Sequence, residues 1–189
     1  MENNIDLIFI EALELHEKLF TLTPIVEQVV GVMIECIKNG GKIMFAGNGG
    51  SAADSQHLAA ELIGRFMQDR NPMAGIALTT DTSIITAVSN DYSFDDIFSR
   101  QIEGFGRSGD IFFGISTSGN SPNILKAIES AKSMGITTVG LTGNGGGKMS
   151  QIVDYLIDVP YKGKSARIQE VHILIGHILC ELIEDALLI

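Results

Sequence analysis

The chain has no tryptophan, two cysteines and four prolines in 189 residues, and it is short of positive charge. Each shortage excludes something. Thirteen Lys and Arg against 23 Asp and Glu leave a formal net charge of −10. A nucleic-acid backbone or an anionic membrane needs positive charge on its partner, so neither is expected here. Cys36 and Cys180 sit in apolar helical patterns without CxxC or Cys/His ligand spacing, and they read as buried free thiols of a reducing compartment. The opening Met1-Glu2-Asn3-Asn4 lacks the basic segment and apolar run of a signal peptide. No uncharged stretch reaches the roughly 18 residues of a membrane helix. The nearest, Val171 to Ile189, is interrupted by His172, His177, Glu181, Glu184 and Asp185. A cytoplasmic protein is the expectation.

What is present points to an ordered α/β domain. Hydrophobic residues make up 45% and charged residues 19%, which excludes disorder, and 21 glycines against few prolines suggest tight turns rather than linkers. The length suits one domain spanning 1–189, with helices over 1–39 at its start. Helical periodicity runs through 4–20 and 24–39, the second with Ile25, Val29, Val32 and Cys36 at three- and four-residue steps. Short apolar runs predict strands at Lys42–Ala46, Gly75–Leu78, Ile111–Ile115, Thr137–Leu141 and Leu156–Val159. Helices are expected between them at about 51–67, 83–88, 97–105 and 122–134, with a last one at 166–187; Asn90-Asp91-Tyr92 reads as a loop. Apolar strands alternating with helices predict a doubly wound, five-stranded parallel sheet covered on both faces. The first two helices precede the sheet and need an apolar surface elsewhere, such as a subunit interface.

Ligands of such sheets bind beyond the carboxyl ends of the strands. The first junction there, Gly47-Asn48-Gly49-Gly50-Ser51-Ala52, fits a loose GxGxxG/A pattern. A dinucleotide site calls for an acid about 20 residues further on. Asp81, the strand-ending acid, lies 81 − 52 = 29 residues past Ala52, and a P-loop lysine is absent. A tight turn without a ligand remains open. The second junction is more specific. Ser116, Thr117, Ser118 and Ser121 put four hydroxyls immediately before Pro122. Ser121 fits an N-cap and Pro122 the first helical position, so free backbone N–H groups and hydroxyls would converge on an anion, most simply a phosphate monoester.

Two polar pairs complete the candidate site. His57 and Glu61 stand one helical turn apart on one face. Gln169 and His177 are eight residues apart on the last helix, some 80° apart around it. A carboxylate and an imidazole beside a bound sugar phosphate are what proton transfer through an enediol requires.

Together these residues carry a family resemblance. Gly47–Ser51, Ser116–Ser121 and Ala166-Arg167-Ile168-Gln169-Glu170-Val171-His172 resemble the bacterial phosphoheptose isomerases of the sugar-isomerase (SIS) fold, a flavodoxin-like architecture. Gln56–Glu61, Asn90-Asp91 and Phe98–Gln101 match as well. The resemblance implies conversion of sedoheptulose 7-phosphate to D-glycero-D-manno-heptose 7-phosphate, the entry to heptose synthesis for lipopolysaccharide or capsule. It implies Glu61 as the base and His177 as its acid–base partner. Ser116, Thr117, Ser118 and Ser121 would hold phosphate, while Asn48, Gly49, Gly50, Ser51, Glu61, Asn90, Asp91 and Gln169 would bind substrate. It further implies one zinc per subunit on His57, Glu61, Gln169 and His177, and a homotetramer. Ser165 stands where the family also carries acidic residues, so a carboxylate contact is missing there. The alternative is a non-catalytic relative on the same fold that binds the replication initiator protein or senses a sugar phosphate; loss of the catalytic pair would mark it, and both Glu61 and His177 are present.

Overall fold

The computed structural model describes residues 2–188. Two helices, α1 (Glu2–Glu17) and α2 (Thr23–Lys38), precede β1 (Ile43–Gly47) and α3 (Gly50–Ile63). Next come β2 (Gly75–Ala77), α4 (Thr82–Asp91), α5 (Ser99–Phe105), β3 (Ile111–Ser116), α6 (Pro122–Ser133) and β4 (Thr137–Thr142). β5 (Tyr155–Asp158) and the 23-residue α7 (Ser165–Leu187) follow. The strands pair in the order β2-β1-β3-β4-β5, all parallel, with Phe45 opposite Phe113 and Phe113 opposite Val139.

Strand residues alternate between two cores. Ile43, Phe45, Phe113 and Ile115 face α2, α3 and α7, meeting Val29, Met33, Leu58, Leu62, Ile175 and Leu179. Met44, Ala46 and Phe112 face the opposite side, against Ile97, Phe98, Ile102, Ile124 and Ile128. Both faces being covered explains why the strands are apolar throughout rather than alternating. The Phe45 and Phe113 rings lie 5.4 Å apart at the centre of the first core.

The strands lie within a residue or so of their expected positions, and the differences lie at helix ends. The expected helix at 4–20 breaks after Glu17 into a 3-10 turn at Leu19–Leu22, where the Thr21 hydroxyl donates to the Lys18 carbonyl and competes with helical bonding. The helix expected to reach 67 stops at Ile63 before Gly64, and the Arg70 side chain takes its last carbonyls. The supposed loop at Asn90-Asp91 is the last turn of α4, closed by the Tyr92 N–H on the Val88 carbonyl.

The segment nearest in length and composition to a membrane span is not Val171–Ile189 but Asn4–Lys38, the two N-terminal helices and the turn between them. Its second half is core: Val26, Val29, Val30, Met33 and Cys36 are buried. Its first half is tied down by Leu15, which is buried, and by Glu11, which accepts from the Tyr161 hydroxyl and Lys164. The rest of α1 presents apolar residues outward, with Phe9 64% and Leu13 65% exposed, and Phe20 beyond it 83% exposed.

Candidate active site

The strand order reverses direction between β1 and β3: β1 leads into α3 on one face and β3 into α6 on the other. The loops therefore part, and a crevice opens above the two strand ends. Both expected ligand turns border it. They are joined by a reciprocal amide pair: Asn48 Nδ2 donates to Asn123 Oδ1 and Asn123 Nδ2 to Asn48 Oδ1, each at 2.9 Å. One N–H and one lone pair of the Asn48 amide thus fix the two turns together. Asn123, which is buried, was not legible as a site residue; the only signal was a polar residue one step past Pro122. Ser51 is buried beneath the first turn.

At the second turn, the Ser116 and Ser121 hydroxyls meet at 2.9 Å, the Ser118 hydroxyl accepts the Asn120 N–H at 3.2 Å, and Thr117 reaches Ser165 at 3.4 Å. Ser121 occupies the N-cap position with extended backbone, but its hydroxyl makes no capping bond. It turns toward Ser116 instead, leaving the helix N-terminus without a side-chain cap. The loop leans on the glycine cluster after β4. Gly119 has φ +62°, and a Cβ there would fall 1.9 Å from the Gly146 carbonyl oxygen. Asn120 completes the joint, donating to the Ser118 carbonyl and accepting the Lys148 N–H.

α3 and α7 run side by side in the same direction. Gly50 meets Gln169 at their starts, His57 meets His177 midway, and Glu184 meets the segment following α3 at their ends. The His57 and His177 Nε2 atoms lie 2.9 Å apart, and Glu61 Oε1 is 3.2 Å from His57 Nε2. Of the two facing nitrogens, one donates and the other accepts. All three side chains offer ligand atoms within 4.8 Å of one another, and the Phe66 ring closes one side, 5.6 Å from the His177 ring. Two imidazole nitrogens and a carboxylate oxygen are a donor set suited to a divalent transition metal.

Gln169 stands eight residues before His177 on α7. A Cβ on Gly50 would come within 2.7 Å of its amide nitrogen, so the amide lies over the first turn of α3. That is seven residues, about 10 Å of helix, before His57. Asn90 and Asp91 are exposed at the end of α4, with the Asn90 amide donating to the Asp91 carboxylate at 2.8 Å. Two titratable groups nearby are perturbed. Burial raises the Asp54 carboxyl, partly offset by His57, and leaves Oδ2 without a hydrogen-bond partner. Burial lowers His172 to about 4 although its Nε2 is bonded to the Thr142 carbonyl.

A parallel sheet in this order, with a hydroxyl-lined helix start at its switch point, is the architecture of an SIS domain, and residues 10–143 match the family model described as the SIS domain. A phosphoheptose isomerase of Rhodospirillum rubrum is 51% identical over 187 residues, covering 99% of each chain. The structure of a phosphoheptose isomerase from Neisseria gonorrhoeae superposes with a TM-score of 0.92 at 41% identity, covering 97% of this chain and 98% of the other. One from Francisella tularensis gives 0.93 at 36% identity, covering 97% of both. The chain belongs to the phosphoheptose isomerase family.

Proposed function

We propose that this isomerase converts sedoheptulose 7-phosphate to D-glycero-D-manno-heptose 7-phosphate, supplying heptose for lipopolysaccharide or capsule. The observation that carries the reading is the meeting of His57, Glu61 and His177, from helices far apart in sequence, in a fold that also presents a hydroxyl-rich helix start at its switch point. Ser116, Thr117, Ser118 and Ser121, with the N-terminus of α6, hold the phosphate as neutral donors. Gly49, Gly50 and Gln169 meet the sugar hydroxyls, Asn90 and Asp91 the far end of the sugar, while Asn48 and Ser51 shape the turn.

With the phosphate anchored, C1 and C2 come to the Glu61 carboxylate. Glu61 takes the C1 proton of the ketose and returns it to C2, and His177 moves the proton between the two oxygens. The Phe66 ring lies against His177 on that side. Zinc fits the donors of His57, Glu61 and His177, with Gln169 as the fourth ligand that the family resemblance implies; when bound, the ion would polarise the substrate carbonyl.

The rest of the reading concerns the setting. The single SIS domain acts in the cytoplasm, as its two buried free cysteines suit. The outward apolar residues of α1 support a homotetramer, since exposed patches of this kind mark subunit contacts.

Incubation with sedoheptulose 7-phosphate, followed by NMR, tests the reading. An aldose product should form, and Glu61→Gln should reduce its rate by about 10²–10⁴-fold, the usual worth of a positioned base. No turnover across metals and pH would overturn it.

A further inference from the structure

Among the described residues, Glu184 and Arg70 form the most deeply buried ion pair, with side chains 1% and 5% exposed and Oε2 2.9 Å from Nε. Glu184 stands seven residues, two turns, beyond His177 on the same face of α7. Its carboxylate is saturated: besides Arg70 it accepts the backbone N–H groups of Phe66 at 3.0 Å, Met67 at 2.7 Å and Gln68 at 2.8 Å. Burial alone would raise this carboxyl, but the three N–H groups and the guanidinium outweigh it and hold it below its ordinary value. Arg70 in turn donates to the carbonyls of Glu61 at 2.8 Å and Leu62 at 3.0 Å.

The last carbonyls of a helix have no partner within it. Here Arg70 takes two of them, one belonging to Glu61 itself. One carboxylate thus fastens α7 to the end of α3 and to the segment that seats Phe66 against His177. A buried ion pair is costly to desolvate, and packed apolar residues often stabilise a fold as well or better. What it adds is direction. Carbonyl-forked Arg and a saturated Glu hold two helices at one spacing, which greasy contacts would let slide.

We propose that Arg70 and Glu184 are positioning residues for the His57–Glu61–His177 group, setting the α3–α7 spacing at which those three side chains converge. The proposal rests on reading that group as the reacting, metal-holding centre. Arg70→Lys keeps the charge but loses the fork onto Glu61 and Leu62; Glu184→Gln keeps the shape but turns a donor toward donors. Outer-shell partners of a metal group are worth about 10–100-fold in affinity or activity. We expect each variant to lose at least about 10-fold in kcat and in zinc affinity by chelator competition. The KM should change less than kcat, because the phosphate loop lies on β3 and α6, away from the α3–α7 contact.

Asp110→Asn is the control. Asp110 is also buried and accepts from Lys42 and the Arg107 N–H, but it stands at the amino end of β3, across the sheet from the site. It should lower melting temperature without changing kcat or zinc affinity in the folded protein. The proposal is overturned if Arg70→Lys, folded by circular dichroism, keeps native kcat and zinc affinity, or loses them only as Asp110→Asn does. If Glu184→Gln fails to fold, Arg70→Lys decides alone. Glu61→Gln run alongside separates the two readings. Turnover retained there removes the active-site assignment and this proposal with it, whereas an inactive Glu61→Gln beside a native-like Arg70→Lys removes this proposal only.

Discussion

Replacing Asn123 by Ala cuts the joint between the two ligand turns, and the structure sets the size of the effect. Two hydrogen bonds at 2.9 Å are lost at once. Each is worth about 1 kcal/mol net, and the half-buried Asn48 amide left behind costs roughly another 1–3 kcal/mol where water cannot reach it. The total, allowing for partial rewetting, is about 2–4 kcal/mol. For a domain of this length 1 kcal/mol moves the midpoint by about 2–4 °C, so calorimetry should show a fall of roughly 4–16 °C. The kinetic consequence is distinct. On the proposed reading phosphate and sugar bind to different turns, and a protein that holds them in register only part of the time binds the whole substrate more weakly by that fraction. The KM for sugar phosphate should therefore rise more than the inhibition constant of inorganic phosphate, which needs one turn alone. Asn123→Asp, which faces the Asn48 carbonyl with an acceptor, should behave at least as badly. A melting midpoint within about 1 °C of native in Asn123→Ala, with unchanged KM, would refute the reasoning.

Other perturbations follow from the same geometry. Gly119→Ala should dislodge the phosphate loop, since its Cβ would meet the Gly146 carbonyl at 1.9 Å; competition by inorganic phosphate, measured against substrate, should weaken sharply. The double variant Ser118→Ala, Ser121→Ala should also weaken phosphate binding, each charge-assisted bond being worth roughly 1.5–3 kcal/mol, and native affinity would put the phosphate elsewhere. His172 is lowered to about 4, so below its ordinary value of 6.5 the unfolded chain takes up a proton that the folded one refuses. Its contribution is complete above that ordinary value and falls as pH drops toward 4. Denaturation by urea at pH 7 and pH 5 should differ by about 2 kcal/mol more in the native protein than in His172→Gln. His57→Ala should lower bound zinc and activity together, checked by elemental analysis of protein dialysed against the metal.

The sheet was largely legible because both its faces are covered. Continuous apolar runs such as Ile43–Ala46 and Ile111–Ile115 have no other explanation between helical stretches. Helix ends were less so. Asn90 and Asp91 have poor helical propensity and suggest a loop, yet α4 runs through them because the backbone ladder continues to Tyr92. Within the site, His57 and Glu61 were paired by local spacing alone. The eight-residue spacing of Gln169 and His177 gave their angle around α7 but not that the Gln169 amide lies over the first turn of α3. Phe66, Arg70 and Glu184 had no sequence signal of their own, and Asn123 only that of a polar residue one step past Pro122. Their roles arise from which helices the sheet places side by side, and spacing along one chain does not encode that.

On the proposed reading of the site, the meeting of His57 with a histidine 120 residues later makes catalysis a late event in the life of each molecule. A ribosome adding roughly 5–20 residues per second takes about 6–24 s to travel from one to the other. Through that interval the first core lacks Ile168, Val171, Ile175, Leu179 and Ile183, all buried once α7 docks. At about 1.5–3 kcal/mol each they are worth roughly 8–15 kcal/mol, on the scale of a whole domain's stability. A chain stalled before α7 is therefore both inert and adhesive, and one that turns over substrate has finished folding. Enzyme activity in a cell extract consequently counts completed molecules, where an antibody against the N-terminal helices would count started ones.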